Sequence, residues 1–402
     1  MIIAEITFFL SLLLVAYAYV GYPLVIFIVS RLFSRPVHKA DITPRVSLII
    51  TAYNEERDIA AKLDNTLALD YPVDKLEVVV ASDCSSDHTD DIVRGYAGRG
   101  VILHRRPERL GKSVAQNHAV KVATGEILVF SDATTMYAPD AVRQIVRSFA
   151  DPQVGCVAGQ LIYVDNAVTA VGQGCRSYWN YEKLIKESES RAGSLIGVSG
   201  CLYAVRRSSY ARLALDMSSD FVIASEIHLQ ELRTVYERDA VAMEDTNKRS
   251  RDEFRMRVRI IEQTYSALHR YRAALSLTRH GLFAFQLISH KVMRYAVPVF
   301  LIIALAANLP LASEMAFFRW TLMAQALFYL AAAAGWLGER IGLRLGPLAL
   351  PYYFALANAA SLIAFVHFMR GKAHVLWEPI REKRAASGNA TVIASQEPIA
   401  PQ

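Results

Sequence analysis

The stretch that decides the fold spans residues 45–56 and reads RVSLIITAYNEE. Its first part, residues 45–51, is a continuous apolar run, which is typical of a parallel strand with both sheet faces covered. Polar residues follow at once, among them Tyr53 and Glu55, and residues 55–69 carry apolar side chains at helical spacing. The pattern predicts a buried strand, a polar loop and a helix.

Three further pairs of strand and helix follow along the chain. The predicted strands cover residues 76–81, 101–104 and 126–131, and the predicted helices cover residues 89–96, 112–123 and 139–149. This alternation predicts an α/β fold with a parallel sheet, which binds ligands outside the carboxyl ends of its strands. The sequence contains no glycine-rich GxGxxG or P-loop pattern, which argues against dinucleotide-binding and P-loop NTPase domains.

Acidic and basic residues follow the predicted strands. Asp83 and Asp87 come after the second strand, where helix capping and ligand binding are both open to them. Asp132 ends the fourth strand, and a carboxylate there suits a hard divalent cation shared with phosphate oxygens. Four cations follow the third strand, where they would attract a pyrophosphate: Arg105, Arg106, Arg109 and Lys112.

Four runs without Asp, Glu, Lys or Arg cover residues 6–30, 295–313, 320–338 and 345–369. A helix needs about 20 residues to cross a hydrocarbon core of ~30 Å, so each run predicts a membrane helix. Buried core helices of a soluble protein are the alternative. Basic residues after the first run predict that the N-terminus lies outside and the next domain in the cytoplasm. Three more crossings would leave the basic tail outside, and whether one run is re-entrant or interfacial stays open.

Composition sets further limits. Apolar residues make up 53%, charged residues 20%, and the net charge is +6, which excludes a disordered chain. The four cysteines are too scattered for a disulfide framework, and no CxxC pair suggests zinc. We expect free thiols in a reducing cytosol, and no nucleic-acid partner.

Four motifs, in order, resemble the membrane-bound family 2 glycosyltransferases of GT-A fold, the branch with cellulose, hyaluronan and chitin-oligosaccharide synthases. They read TAYNEE, SDCSSDHT, RLGKSVAQNHAV and SDATTMYAPDA, and the resemblance covers about residues 45–259. It implies a Rossmann-like domain for UDP-sugars in which Tyr53 packs on uracil and Asp83 holds the uracil ring. It also implies that Glu55 lies near the ribose or a phosphate, and Lys112 near the ribose and diphosphate.

The resemblance further implies a metal. Asp132 stands as the first acid of a D-x-D motif that would hold Mg²⁺ or Mn²⁺. The second acid is replaced by Thr134, so the metal would depend on Asp132, the diphosphate and water. Catalysis without a metal is the alternative.

On the acceptor side, Ser218-Ser219-Asp220 stands where processive members carry T-E-D or G-D-D. The resemblance therefore implies that Asp220 is the general base of an inverting transfer. Residues 256–260 (MRVRI) align with the family's Q-x-x-R-W motif, which implies that Arg257 and Arg259 bind the diphosphate. The acceptor-stacking Trp is replaced by Ile260, which puts processive synthesis in doubt. Residues 377–381 resemble a gating segment, with interface anchoring as the alternative.

Together these observations predict five segments. They are an anchor (residues 1–33), a GT-A domain (34–247), basic amphipathic interfacial helices (248–292), transmembrane helices (293–370) and a basic, then disordered tail (371–402). The predicted protein is a multi-pass enzyme of the inner membrane with a cytoplasmic catalytic domain. It would transfer a sugar from a UDP-sugar to a growing polysaccharide or glycan, which the membrane helices would accommodate or export, with accessory export subunits as further partners. Transfer of one sugar to a lipid-linked acceptor and a non-catalytic nucleotide-sugar sensor are the alternatives.

Overall fold

The computed structural model describes residues 1–164, 170–214, 217, 219–245, 250–343 and 346–371, with side chains throughout except at 170–178. Residues 377–381 and the tail beyond them lie outside this part of the chain.

A sheet of eight strands forms the centre of the described domain. The strands are β1 Val46–Ala52, β2 Leu76–Ser82, β3 Val101–Arg105, β4 Ile127–Asp132, β5 Met136–Tyr137, β6 Val154–Val164, β7 Leu202–Arg206 and β8 Arg233–Asp245. Their order is β3-β2-β1-β4-β7-β6-β8-β5. The first four strands are parallel, as predicted. Beyond β4 the sheet is mixed, because β7 runs antiparallel between β4 and β6.

Thirteen helices lie within the described ranges. They are α1 Ile2–Ala16, α2 Tyr22–Leu32, α3 Ile59–Leu67, α4 Thr89–Gly95, α5 Lys112–Val122, α6 Ala141–Arg147, α7 Ala170–Ala192, α8 Ser219–Leu229, α9 Ser250–Arg270, α10 Leu277–Gln286, α11 Met293–Glu314, α12 Ala316–Arg340 and α13 Ala349–Met369. The helix predicted from residue 55 begins at Ile59 instead. Asn54 has a φ of 56°, a left-handed conformation that single Asn residues adopt in turns, and the chain turns there before the helix starts.

The central strands are buried on both faces, which explains their continuous apolar runs. Leu48 and Ile50 pack in a cluster on one face of the sheet. Ile49 packs in a second cluster on the other face. All three side chains are fully buried, and each such burial contributes roughly 1.5–3 kcal/mol.

Four stretches of helix are long and apolar enough to cross a membrane, and they contain the four predicted runs. They are Ile2–Leu32, Leu277–Glu314, Ala316–Arg340 and Gly346–Met369. The last is the most enclosed by protein, with 44% of its apolar window buried against 17% for Ala316–Arg340.

The enclosure of α13 comes largely from α9, which lies alongside it. Val258 and Ile261 of α9 pack with Ala360 and Ala364 of α13. Polar contacts join the pair on either side of this patch, since Tyr353 donates to Glu253 Oε1 at 3.2 Å and His367 Nδ1 lies 2.5 Å from Glu262 Oε1. The apolar face predicted for this amphipathic helix therefore packs against α13.

Candidate active site

The carboxyl ends of the parallel strands meet at one edge of the sheet, as predicted. In the strand register, Ala52 lies opposite Ser82 and Thr51 lies opposite Asp132. The loops after β1, β2 and β4 therefore open on the same side, and the polar side chains that follow these strands share one cleft edge.

The loop before α5 closes over Asp83. The Asp83 carboxylate is 3% exposed, and it accepts hydrogen bonds from Leu110 N at 3.0 Å and Gly111 N at 2.7 Å. Gly111 has a φ of 94°, which favours glycine. Asp83 therefore acts partly as a helix cap. It holds the backbone just before α5, although it lies in the loop after β2.

Tyr53 and Glu55 lie at the same edge. The Arg109 guanidinium stacks over the Tyr53 ring at 3.8 Å from its centre. Glu55 is buried, and its amide donates to Thr89 Oγ1 at 2.7 Å. Asp87 is a local cap, since its Oδ1 accepts from Thr89 N at 3.0 Å.

The four cations after β3 do not all face this cleft. Arg105 pairs with Asp90 at 2.6 Å, and Arg106 lines a separate cavity. Arg109 lies on Tyr53, and only Lys112 pairs with Asp132. The structure therefore does not gather the four side chains into one cluster for a pyrophosphate.

Lys112 and Asp132 form an ion pair at the centre of the edge. The Lys112 ammonium also donates to the Gly200 carbonyl at 3.5 Å. Burial disfavours its charge, but the charges of Asp132 and Asp220 outweigh burial and raise the pKa of Lys112. This ammonium is therefore charged at neutral pH.

Asp220 reaches the same point from the first turn of α8. A Cβ at Gly200 would lie 3.5 Å from Lys112 Nζ and 3.9 Å from Asp220 Cβ, so both residues approach the bare backbone of this glycine. Asp220 is half-buried, and its carbonyl accepts from Val198 N at 2.8 Å.

The two arginines of α9 separate. Burial lowers the pKa of Arg259, and the charges of Asp132 and Asp220 oppose that shift, so Arg259 lies within electrostatic range of both carboxylates. Arg257 instead donates to Glu253 at 2.8 Å and to the Tyr353 hydroxyl of α13. Residues two apart on a helix point to nearly opposite sides, so the structure does not bring Arg257 to the other predicted residues.

Glu244 is a site residue that the sequence motifs did not reveal. It lies on β8, which pairs with β5 just beyond the Asp132 loop. Its Oε1 accepts from Thr134 Oγ1 at 3.4 Å. Burial first, then the charge of Asp132, raises the pKa of Glu244 to about 7. The one indication in the sequence was the absence of the second D-x-D acid at position 134, which leaves a place for an acid from elsewhere in the chain.

Lys62 is a second residue that the motifs did not indicate. It is fully buried, its ammonium donates to the Thr135 carbonyl at 2.6 Å, and it lies 3.7 Å from the centre of the Tyr137 ring. Burial lowers the pKa of Lys62 to about 7. The Lys62 side chain therefore stabilises the turn that follows Asp132 through its hydrogen bond to the Thr135 carbonyl.

Lys186 of α7 lies on the side of the cleft formed by residues 196–203. Its ammonium donates to Ser199 Oγ at 2.9 Å and lies 5.2 Å from the centre of the Trp179 ring. The Trp179 ring also packs against Tyr163, with centroids 5.4 Å apart. Burial lowers the pKa of Lys186, while the charge of Asp220 acts in the opposite direction.

The oxygen atoms near Asp132 fit a divalent cation in part. The described residues contain no group of three His, Cys, Asp or Glu side chains suited to a metal. Asp132 and Glu244 nevertheless offer two carboxylates beside the Thr134 hydroxyl. Mg²⁺ commonly completes its coordination with phosphate oxygens and water, so the site suits a cation that arrives with a diphosphate.

Residues 47–214 match the sequence family described as glycosyl transferase family 2. The chain is 27% identical over 210 residues to poly-β-1,6-N-acetyl-D-glucosamine synthase of Staphylococcus aureus, covering half of each chain. It is 29% identical over 181 residues to the probable glycosyltransferase YdaM of Bacillus subtilis, covering 42% of each. The chain thus spans about half the length of the curated polysaccharide synthases that it matches.

A solved structure extends the likeness over most of the chain. The mannosyltransferase PcManGT from Pyrobaculum calidifontis, solved with GDP-Man and Mn²⁺, is 27% identical. The match covers 91% of this chain and 99% of that one, with a TM-score of 0.70. The family match and this structure agree with the observed sheet and its carboxyl edge, so residues 47–214 form a domain of the glycosyl transferase family 2 type with a GT-A fold.

Proposed function

We propose that this enzyme transfers a sugar from a nucleoside diphosphate sugar, a UDP-sugar in the first instance, to a glycan acceptor with inversion at the anomeric carbon. The observation that carries the proposal is the approach of Lys112, Asp132 and Asp220 around the backbone of Gly200. A cation for the diphosphate, an acid for a metal and a carboxylate for the acceptor thus lie within one cleft.

The donor would lie along the carboxyl edge of the sheet. Tyr53, Glu55 and Asp83 are the proposed contacts of the nucleoside, and Lys112 and Arg259 those of the diphosphate. Asp83 already fixes the backbone at residues 110–111, so its part in base recognition includes shaping that loop. Arg257 is left out of the donor site, because it bonds to Tyr353 instead.

A divalent cation, Mg²⁺ or Mn²⁺, would be held by Asp132 with Glu244 and the Thr134 hydroxyl. When bound, it would neutralise charge on the departing diphosphate. Relatives provide independent support, because the PcManGT structure contains Mn²⁺.

Asp220 would act as general base. Its carboxylate takes the proton of the acceptor hydroxyl as that oxygen bonds to the anomeric carbon, and the bond from this carbon to the diphosphate breaks on the opposite face. The nucleoside diphosphate leaves with the bonding electron pair, and Lys112 and Arg259 stabilise its charge.

GDP-mannose is a second candidate donor, favoured by a specific observation. The relative that covers 91% of this chain is a mannosyltransferase solved with GDP-Man, whereas the polysaccharide synthase covers half of it. A panel of radiolabelled UDP-sugars and GDP-mannose, incubated with membranes that contain the enzyme, tests both. The proposal fails if no donor releases nucleoside diphosphate in the presence of acceptor.

The product is proposed to be an extended glycan, with single transfer to a lipid-linked acceptor as the alternative. Ile260 removes the family's stacking aromatic, but Trp179 offers an aromatic face beside Lys186. Aromatic faces are common platforms for sugar rings. Product length on a sizing gel separates the two outcomes, and accessory export subunits would be sought by copurification.

The membrane arrangement that we propose has three crossings, namely α1–α2, α10–α11 and α12. Because α13 lies alongside the charged helix α9, we place it at the cytoplasmic interface. With the N-terminus outside, the first crossing leads into the cytoplasm, where the catalytic domain lies. The second and third crossings lead out and back, so the basic tail is also cytoplasmic, which satisfies the positive-inside rule. The predicted division into five segments is kept, with α13 moved to the interfacial group.

A further inference from the structure

A separate cavity of about 560 Å³ lies beside α5, and it takes no part in the proposed reaction. Its polar lining consists of Arg106, His118, Lys121 and Arg212 together with the uncharged Asn117 and Tyr210. None of the lining residues that the structure describes is acidic. A cavity with several cations and no acid on its described walls is an environment for an anion.

Arg106 is the innermost of these cations and the strongest evidence for a ligand. It is 6% exposed, and its Nε donates to the Glu108 carbonyl at 3.3 Å. Its Nη1 is buried and has no hydrogen-bond partner among the described residues. A buried charged donor without a partner is costly, and Arg106 lines the cavity, so an anion bound there would lie against this guanidinium and offset its buried charge.

The other polar groups are arranged around the mouth. Lys121 and Arg212 are exposed and free to close on a bound anion. Burial lowers the pKa of His118, and the charges of Arg106 and Lys121 lower it further. His118 is therefore neutral at pH 7 and can donate a hydrogen bond without adding charge.

The remaining wall is largely apolar. Leu110, Val114 and Leu213 line it, so the cavity offers a surface for a ring or chain as well as a phosphate. Its volume lies within the roughly 300–1,000 Å³ that small-ligand sites occupy. The chemistry and size together suit a molecule such as a nucleoside monophosphate or a sugar phosphate.

We propose that this cavity is a second ligand site, which binds a small phosphorylated molecule with its phosphate on Arg106, Lys121 and Arg212 and its apolar part against Leu110 and Val114. Arginine pairs with phosphate through two parallel hydrogen bonds. Because Arg106 N bonds to Ser82 O at 3.0 Å and Leu110 N bonds to Asp83, a ligand there would stiffen the loop that borders the donor cleft.

Calorimetric titration of the enzyme in detergent tests this site. The titration is carried out without divalent cations and at constant ionic strength. The probes are AMP and adenosine, which differ only by the phosphate. We expect saturable AMP binding and at least ~10-fold weaker adenosine binding. The double variant Lys121→Ala/Arg212→Ala should weaken AMP binding by ~10-fold or more. Arg207→Ala, which removes an exposed arginine outside the cavity, should leave it unchanged.

Three outcomes would overturn the proposal. The first two are the absence of saturable AMP binding and equal affinity for AMP and adenosine. The third is an AMP affinity that the double variant leaves unchanged, because AMP would then bind in the donor cleft. Arg106→Gln should abolish AMP binding. If this buried variant does not fold, the two surface substitutions still decide.

Discussion

Replacing Asp220 by Asn should stop transfer while donor binding persists. The amide keeps the size of the carboxylate but cannot accept the acceptor's proton. General-base catalysis contributes about 10²–10⁴-fold, or ~3–5 kcal/mol, so we expect the rate to fall by at least ~100-fold.

The local structure indicates that this variant will fold. Asp220 Oδ1 accepts from Phe221 N at 3.1 Å, and an asparagine oxygen can keep that bond. The hydrogen bond from Val198 N uses the Asp220 backbone carbonyl at 2.8 Å and does not depend on the side chain. We therefore expect a stability change below about 1 kcal/mol.

Donor affinity should stay within about threefold of the wild type or increase slightly. Loss of the Asp220 charge frees Lys112 and Arg259, which both interact with it, to attract the diphosphate more strongly. Donor binding and transfer should be measured on the same preparation. Glu226→Gln is the matched control, because Glu226 on the same helix accepts from the Tyr271 hydroxyl and should lose less than about threefold in rate.

Two results would refute this assignment. Retained transfer by Asp220→Asn would move the base elsewhere, with Glu226 the next candidate. Loss of donor binding together with transfer, in a variant that unfolds at the wild-type temperature, would assign Asp220 to the donor side.

Four further predictions follow from the same geometry. Asp132→Asn should lower metal-dependent turnover by about 100-fold or more. Glu244→Gln should weaken Mn²⁺ binding by about 10-fold, which electron paramagnetic resonance of Mn²⁺ measures. If this variant binds Mn²⁺ with wild-type affinity, Glu244 does not belong to the metal site. Arg259→Ala should weaken donor binding by ~10–100-fold and Arg257→Ala by less than about threefold in calorimetry, so equal losses would contradict the separation of the two arginines. A reporter fused to the C-terminus should respond as cytoplasmic, whereas a periplasmic response would restore four crossings. Mass spectrometry of protein alkylated before lysis should find all four cysteines as thiols, and a disulfide would overturn the cytoplasmic placement.

The first half of the sheet could be predicted from the sequence because its signal is local. A strand buried on both faces, such as that with Leu48, Ile49 and Ile50, appears as an unbroken apolar run. The polar residues that follow must then lie at the carboxyl edge. The antiparallel insertion of β7 had no such signal, since strand order depends on pairing between distant segments.

The residues that the sequence did not reveal depend on distant contacts. Glu244 reaches Thr134 from a strand more than 100 positions later, so no motif spacing could reveal it. Lys62 lies at helical spacing from the buried Ile59 and Thr66, but a lysine on a helix is usually solvent-exposed. Arg257 and Arg259 belong to one motif, but they lie two positions apart on a helix, so their side chains point to different sides, which the linear motif does not show.

The charges around the cleft explain why a second acid near Asp132 matters. Asp132, Asp220 and Glu244 supply three carboxyl groups, and Lys112, Lys186 and Arg259 supply three cations. With the pKa of Glu244 at about 7, this set is close to neutral without a donor.

A nucleoside diphosphate sugar adds about two negative charges to that balanced set. Transferring unpaired charge into a partly buried cleft is unfavourable, so a divalent cation entering with the donor restores the balance. In the proposed metal site, Glu244 would supply the second carboxylate that position 134 lacks, and the cation would favour the ionised form of Glu244. In our proposal, β8 would therefore supply the second acid of the D-x-D motif through space, and the proposed metal site would not require an acid at position 134.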